Sequence, residues 1–155
     1  MAMTTRRVAT WAVIASTLIA GWEGLDLVTK PDQLANGLPT VCYGATKAEV
    51  PGLRVGDRFT KEQCVQLLAE ALPKYDAGIM KCIHVPMSDE RHAAVVSLAY
   101  NIGVGAVCRS TFVKHLNAGD PNACEYMLVF NKSMGVVRKG LVNRRNDEYK
   151  HCIKG

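Results

Sequence analysis

Trp22-Glu23-Gly24-Leu25-Asp26-Leu27-Val28-Thr29-Lys30-Pro31-Asp32, running on through Gly37-Leu38-Pro39-Thr40-Val41-Cys42-Tyr43-Gly44-Ala45-Thr46, is the stretch that decides how the rest of the chain is read. It sets out two carboxylates and a hydroxyl, Glu23, Asp32 and Thr40, with eight and then seven residues between them. Gly, Pro, Asp and Asn are frequent from Leu25 to Thr46. That composition predicts a small β-hairpin lobe with tight turns at Pro31-Asp32 and Asn36-Gly37. Thr40-Val41-Cys42-Tyr43 is its best strand, with Thr40 and Cys42 on one face and Val41 and Tyr43 on the other.

Before this stretch, Arg6 and Arg7 lead into an uncharged run, Val8 to Trp22, VATWAVIASTLIAGW. A basic start and an apolar run make a signal-anchor layout. As a helix the run spans ~22 Å, short of a ~30 Å hydrocarbon core. Its Ala, Thr, Ser and Gly content makes transfer into lipid marginal, so it is expected to enter a bilayer and leave again. Cleavage after Ala20 is disfavoured, because Leu18 then falls where a small residue is needed and Glu23 lies almost at the new terminus. The plainer alternative is a buried first helix of a soluble protein.

After the stretch, Thr60-Lys61-Glu62-Gln63 is a capping box that opens a long helix to about Cys82, with Pro73 as a kink or break. Cys64 and Cys82 would be ~27 Å apart along it and cannot bond each other. Ser88-Asp89 caps a helix whose core, Ala93 to Ile102, is almost wholly apolar and therefore central; Gly103 and Gly105 end it. Thr111 to Leu116 is a short helix closed by Asn117-Ala118-Gly119. Asp120 reads as an N-cap with Pro121 at the first helical position, and a last helix begins near Val142. The fold class is mainly α (α+β). Residues 1–21 are an anchor continuing into the first helix, and 22–155 form one domain. Within it, 22–59 make a β-containing lobe, 60–82 a connecting helix and 83–155 a helical lobe.

At 155 residues, 48% hydrophobic and 21% charged, the chain excludes disorder and a polytopic membrane protein. A net charge of +5 favours polyanions without choosing among them. Six dispersed cysteines, with no CxxC pair, fit disulfides in an oxidising compartment rather than a zinc site. Cys82 with Cys108 is the expected pair, joining the end of the long helix to the segment after the central one. Cys42, Cys64, Cys124 and Cys152 are left unassigned, with buried thiols as the alternative. No metal or cofactor is expected.

Glycoside hydrolysis needs an acid that protonates the leaving oxygen and, with inversion, a second carboxylate ~6.5–9.5 Å away that holds a water. Glu23, at the end of an apolar helix, suits the acid, since desolvation favours the protonated carboxyl. Asp32, in a polar turn, suits the base, and Thr40 the hydroxyl that steadies the water. Surface charges at such spacings are common, so these three residues alone leave the matter open.

The wider pattern resembles phage-type lysozymes of glycoside hydrolase family 24. Trp22-Glu23-Gly24, Pro31-Asp32 and Gly37 to Thr46 match the family's active-site signature. Further blocks follow in the family's order: Thr60 to Cys64, Ala99 to Gly105, Arg109-Ser110-Thr111, Leu116 to Asp120 and Gly140 to Arg145. The resemblance spans residues 22 to about 152. It implies a lysozyme-like fold and an endolysin that cuts the β-1,4 bond between N-acetylmuramic acid and N-acetylglucosamine in peptidoglycan. Glu23 takes the place of the acid, Asp32 of the carboxylate and Thr40 of the water-positioning threonine. Arg144 best matches an arginine that pairs with the glutamate, with Arg145 second or else solvated.

Two departures stand out. The Asp32–Thr40 interval is two residues longer than usual, which leaves Asp26 as a competing carboxylate. A histidine common after the strand is Ala45 here. Tyr100 and Asn101 are read as shaping the core, and Lys132 and Arg138 as surface charges able to meet acidic wall polymers. Some relatives keep an uncleaved anchor and switch disulfides through a cysteine in it; with no cysteine before Cys42, that switch is absent. The expected partners are peptidoglycan and, transiently, the inner membrane through residues 8–22, with no nucleic acid and a monomeric state. The expected location is membrane-tethered, then periplasmic. The alternatives are a lytic transglycosylase using Glu23 alone and a non-catalytic wall-binding or membrane-active lysis protein.

Overall fold

A computed structural model describes residues 9–155. Arg6, Arg7 and Val8, the start of the expected anchor, lie outside the described residues. The helices pack around Asp89–Ile102, in which Ala93 through Ala99 are all buried. Small and β-branched side chains in that run let neighbouring helices approach closely. The Ser88 hydroxyl accepts from the Arg91 N–H at 3.1 Å to start the helix, and Gly103, at φ +92°, ends it.

In chain order the elements are α1 (Thr10–Glu23), β1 (Asp26–Asp32), β2 (Leu38–Cys42), α2 (Lys61–Met80), the central α3 (Asp89–Ile102), α4 (Val104–Cys108), α5 (Thr111–Asn117), β3 (Lys132–Ser133), β4 (Val136–Val137) and α6 (Lys139–Cys152). α1, α2 and α6 all pack on α3. This is a mainly helical protein with a small antiparallel hairpin.

α1 turns Ala15, Leu18 and Ile19 inward. Burying Leu18 and Ile19 contributes about 1.5–3 kcal/mol each. Its two tryptophans fix its ends: Trp11 stacks on His92 with ring centroids 4.3 Å apart, and Trp22 Nε1 donates to Asp147 Oδ2 at 2.7 Å. Among the described residues no helix is long and apolar enough to cross a membrane.

The capping box at the start of α2 is formed in both directions: Gln63 N–H donates to Thr60 Oγ1 at 3.1 Å, and Thr60 N–H to Gln63 Oε1 at 2.8 Å. α2 continues through Pro73 without a break and stops at Met80, two residues before Cys82. Three disulfides, Cys42–Cys64, Cys82–Cys108 and Cys124–Cys152, tie β2 to α2, the segment just after α2 to α4, and a 3₁₀ helix after α5 to α6.

In its turns and helix ends the structure departs from the sequence-based expectations at four places. Pro31 and Asp32 are not a turn but the end of strand β1, paired with Pro39 and Leu38. In a two-stranded ribbon every strand is an edge, so a proline without an N–H is tolerated. The reversal is made instead by a 3₁₀ turn at Gln33–Ala35, then Asn36 (φ +55°) and Gly37 (φ +76°). Gly105 does not end the central helix but lies inside α4, where a Cβ would come within 2.9 Å of Arg109 Nη1. Asp120 does not cap an α-helix. Its carboxylate accepts from the Asn122 N–H at 2.8 Å, and a 3₁₀ helix follows at Ala123–Val129. α6 starts at Lys139, three residues earlier than expected, after the β3–β4 hairpin, which is too short to leave a periodic signal.

Candidate active site

Glu23 is the last residue of α1, and the chain leaves the helix at Gly24 with φ +69°. Its side chain is 21% exposed and meets Arg144 of α6, whose Nη1 donates to Glu23 Oε1 at 2.6 Å. Arg144 is itself buried, and its Nη2 donates to the Ser97 carbonyl of α3 at 3.3 Å. Three helices therefore fix this one ion pair.

The second carboxylate oxygen of Glu23 faces the hairpin lobe. A Cβ on Gly44 would sit 3.4 Å from Glu23 Oε2, and Gly44 has φ +85°, so both the space and the backbone favour glycine. Val41 and Ala45 exchange backbone hydrogen bonds at 2.8 and 2.9 Å around this turn. The Tyr100 hydroxyl donates to the Tyr43 carbonyl and docks the end of β2 on α3. Burial and the charge of Glu23 push the Tyr100 phenol well above its ordinary range; burial and the charges of Glu49 and Glu23 raise Tyr75 of α2 likewise. Ala45, where the family often has histidine, is buried and carries no charge.

Arg145 is not solvated. It is 1% exposed, its Nε lies 2.6 Å from Glu148 Oε1, and its Nη1 donates to the Phe130 carbonyl at 3.3 Å. Glu148 is wholly buried, with Oε2 at 3.8 Å from Arg144 Nε. Burial raises the proton affinity of Glu148, opposed by Arg145 and Arg144. Glu148 is the site residue that the sequence pattern does not single out. Its one signal is its position three and four residues after two arginines, a spacing that brings side chains together on a helix.

Asp32 and Thr40 come together on the hairpin. Asp32 pairs with Leu38 and Lys30 with Thr40, so Asp32 and Thr40 are diagonal neighbours on one face. Such neighbours lie about 7–8 Å apart. Asp26 forms an ion pair with Lys30 at 2.8 Å. Cys42 has φ +61°, so strand alternation does not carry past Thr40 and Val41, and the expected shared face of Thr40 and Cys42 is lost. A cleft of about 790 Å³ lies beside Glu23, lined by Trp22, Asn101, Phe130, Lys132, Arg138 and Arg144 among others. It brings Lys132 and Arg138 to Glu23; Asp32 and Thr40 are outside its lining.

Residues 20–148 match the family model for phage lysozyme. The chain belongs to the phage lysozyme family. It is 36% identical over 124 residues to the SAR-endolysin of Pseudomonas phage phiKMV, covering 76% of this chain and 74% of that one. It is 32% identical over 149 residues to the SAR-endolysin of Enterobacteria phage P21, covering 92% and 87%. Among solved structures it superposes on the endolysin from Escherichia coli O157:H7 phage FAHEc1 with a TM-score of 0.80, at 34% identity and over 90% of each chain. This phage lysozyme is therefore a glycoside hydrolase with an endolysin's function, and its family acts on peptidoglycan.

Proposed function

We propose that this lysozyme hydrolyses the β-1,4 bond between N-acetylmuramic acid and N-acetylglucosamine, with inversion at the anomeric carbon. The observation that carries the proposal is Glu23, fixed by Arg144 at 2.6 Å at the edge of a cleft large enough for sugar rings. Glu23 gives its proton to the glycosidic oxygen as the bond to the anomeric carbon breaks. A water held between Asp32 and Thr40 attacks that carbon from the opposite face and passes a proton to Asp32. Asp32 rather than Asp26 takes this part, because the hairpin register sets Asp32 diagonal to Thr40 on one face. Lys132 and Arg138 supply positive charge beside the bound glycan.

Residues 8–22 serve first as an anchor, the part from Thr10 onward afterwards forming α1, and the protein acts as a monomer in the periplasm. The packing of Ala15, Leu18 and Ile19 on the domain supports this order of events: while these residues are in lipid, nothing holds Glu23 against Arg144. Residues 22–155 are then the enzyme proper, with 22–59 as its β-containing lobe and 83–155 as its helical lobe.

Product analysis on purified peptidoglycan tests the reaction. Wild type is expected to release reducing muramic ends, Glu23→Gln none and Asp32→Asn far fewer. Anhydro ends would make the protein a transglycosylase, and lysis undiminished in Glu23→Gln would make it a non-catalytic lysis protein.

A further inference from the structure

Behind Glu23 stands a buried set of charges of which the reaction above uses only the first. Arg144 spends Nη1 on Glu23 and Nη2 on the Ser97 carbonyl. Its Nε has no hydrogen-bond partner among the described residues and lies 3.8 Å from Glu148 Oε2. Glu148 is 0% exposed, and its other oxygen meets Arg145 Nε at 2.6 Å. A carboxylate so placed is poorly justified by stability, since buried ion pairs are often replaceable by apolar side chains without loss. Its position suits a different task.

We infer that Glu148 is a positioning residue for Glu23: it takes up part of the charge of Arg144 and fixes the guanidinium, so that Arg144 holds Glu23 without preventing it from carrying a proton. The inference rests on the reading of Glu23 as the acid. Glu23 is faced by Arg144 and Arg145 from α6, by Tyr100 from α3 and by Tyr75 from α2, with Glu49 acting on both tyrosines. Glu148 is faced by Arg144 and Arg145. With both carboxylates ionised, two negative charges balance two positive ones. Without the charge of Glu148, both arginines act on Glu23 alone and favour its ionised form, which cannot protonate the leaving oxygen.

The test is the pH profile of kcat/KM for Glu148→Gln, which keeps the shape and removes the charge. The alkaline limb, where the acid loses its proton, is expected to move down by about one pH unit, with a roughly tenfold loss of kcat above it and KM within about twofold. A purely structural role lowers the melting temperature and leaves the limb where it was, and that result overturns the inference. Glu23→Gln is run alongside. If it is active, the reading of the acid fails; if it is inactive while the Glu148→Gln limb is unmoved, only this inference fails. Should Glu148→Gln not fold, a carbon-13 carboxyl titration of the wild type decides. The Glu148 signal is expected to move as Glu23 titrates, and a Glu148 signal indifferent to Glu23 overturns the inference.

Discussion

Glu23 and Arg144 meet where α1, α3 and α6 come together, with Glu148 and Arg145 wholly buried behind them. Asp32 and Thr40 stand instead on a two-stranded hairpin, half-buried, with exposed neighbours at Lys30, Pro31 and Leu38. The two halves differ in what they must hold. Whether an acid is protonated depends on charges within a few ångströms, so its surroundings must be rigid and complete. A group that steadies a water needs only a register and a firm base. That base is supplied by Cys42–Cys64 and by the Tyr100 hydrogen bond to Tyr43.

If that division is right, the largest effect belongs to the buried half. Glu23→Gln is expected to lower kcat by about 10³-fold, within the range for losing a general acid, while the melting temperature by calorimetry stays within about 2 °C of wild type. The exposed half comes next. Thr40→Ala is expected to cost about 10²-fold in kcat, whereas Asp26→Asn leaves activity within about twofold and costs only a surface ion pair. Reversed sensitivities at positions 26 and 40 would move the second carboxylate to Asp26.

The same division separates what is legible in the sequence from what is not. Features set by neighbours along the chain are legible: the Thr60–Gln63 box, the Ser88 cap, the Gly103 stop and the apolar run that becomes α3. Glu23 and Arg144 are reached through the family pattern, and the structure brings them to 2.6 Å. What escapes depends on tertiary placement. Pro31-Asp32 has the composition of a turn, but pairing with Leu38 and Pro39 makes it strand. Arg145 and Glu148 look like a charged helix face until the packing of α6 on α3 buries them. The Asp120 carboxylate caps a turn, a local bond that composition cannot tell from a helix cap.

A smaller effect tests the base of the hairpin. Cys42→Ala with Cys64→Ala removes a link across 22 residues of sequence. It is expected to reduce stability by about 3 kcal/mol in urea titrations and kcat by a few-fold, because Thr40 sits two residues from the lost bond. An unchanged kcat would mean that Tyr100 alone holds β2. The smallest effect concerns that tyrosine. Tyr100 keeps its proton more firmly folded than unfolded, so its contribution is complete below about pH 10 and is lost as pH rises above that value. The urea midpoint is expected to fall as pH rises above about 10 in wild type and less steeply in Tyr100→Phe. Equal slopes would place the alkaline sensitivity on Tyr75 or elsewhere.

The most direct test of the two-part site is the configuration of the freshly made muramic end, followed by proton NMR before mutarotation. An acid on one face and a held water on the other predict the α-anomer as first product. A β-anomer would mean two successive displacements through a covalent intermediate, and would contradict a water held by Asp32 and Thr40.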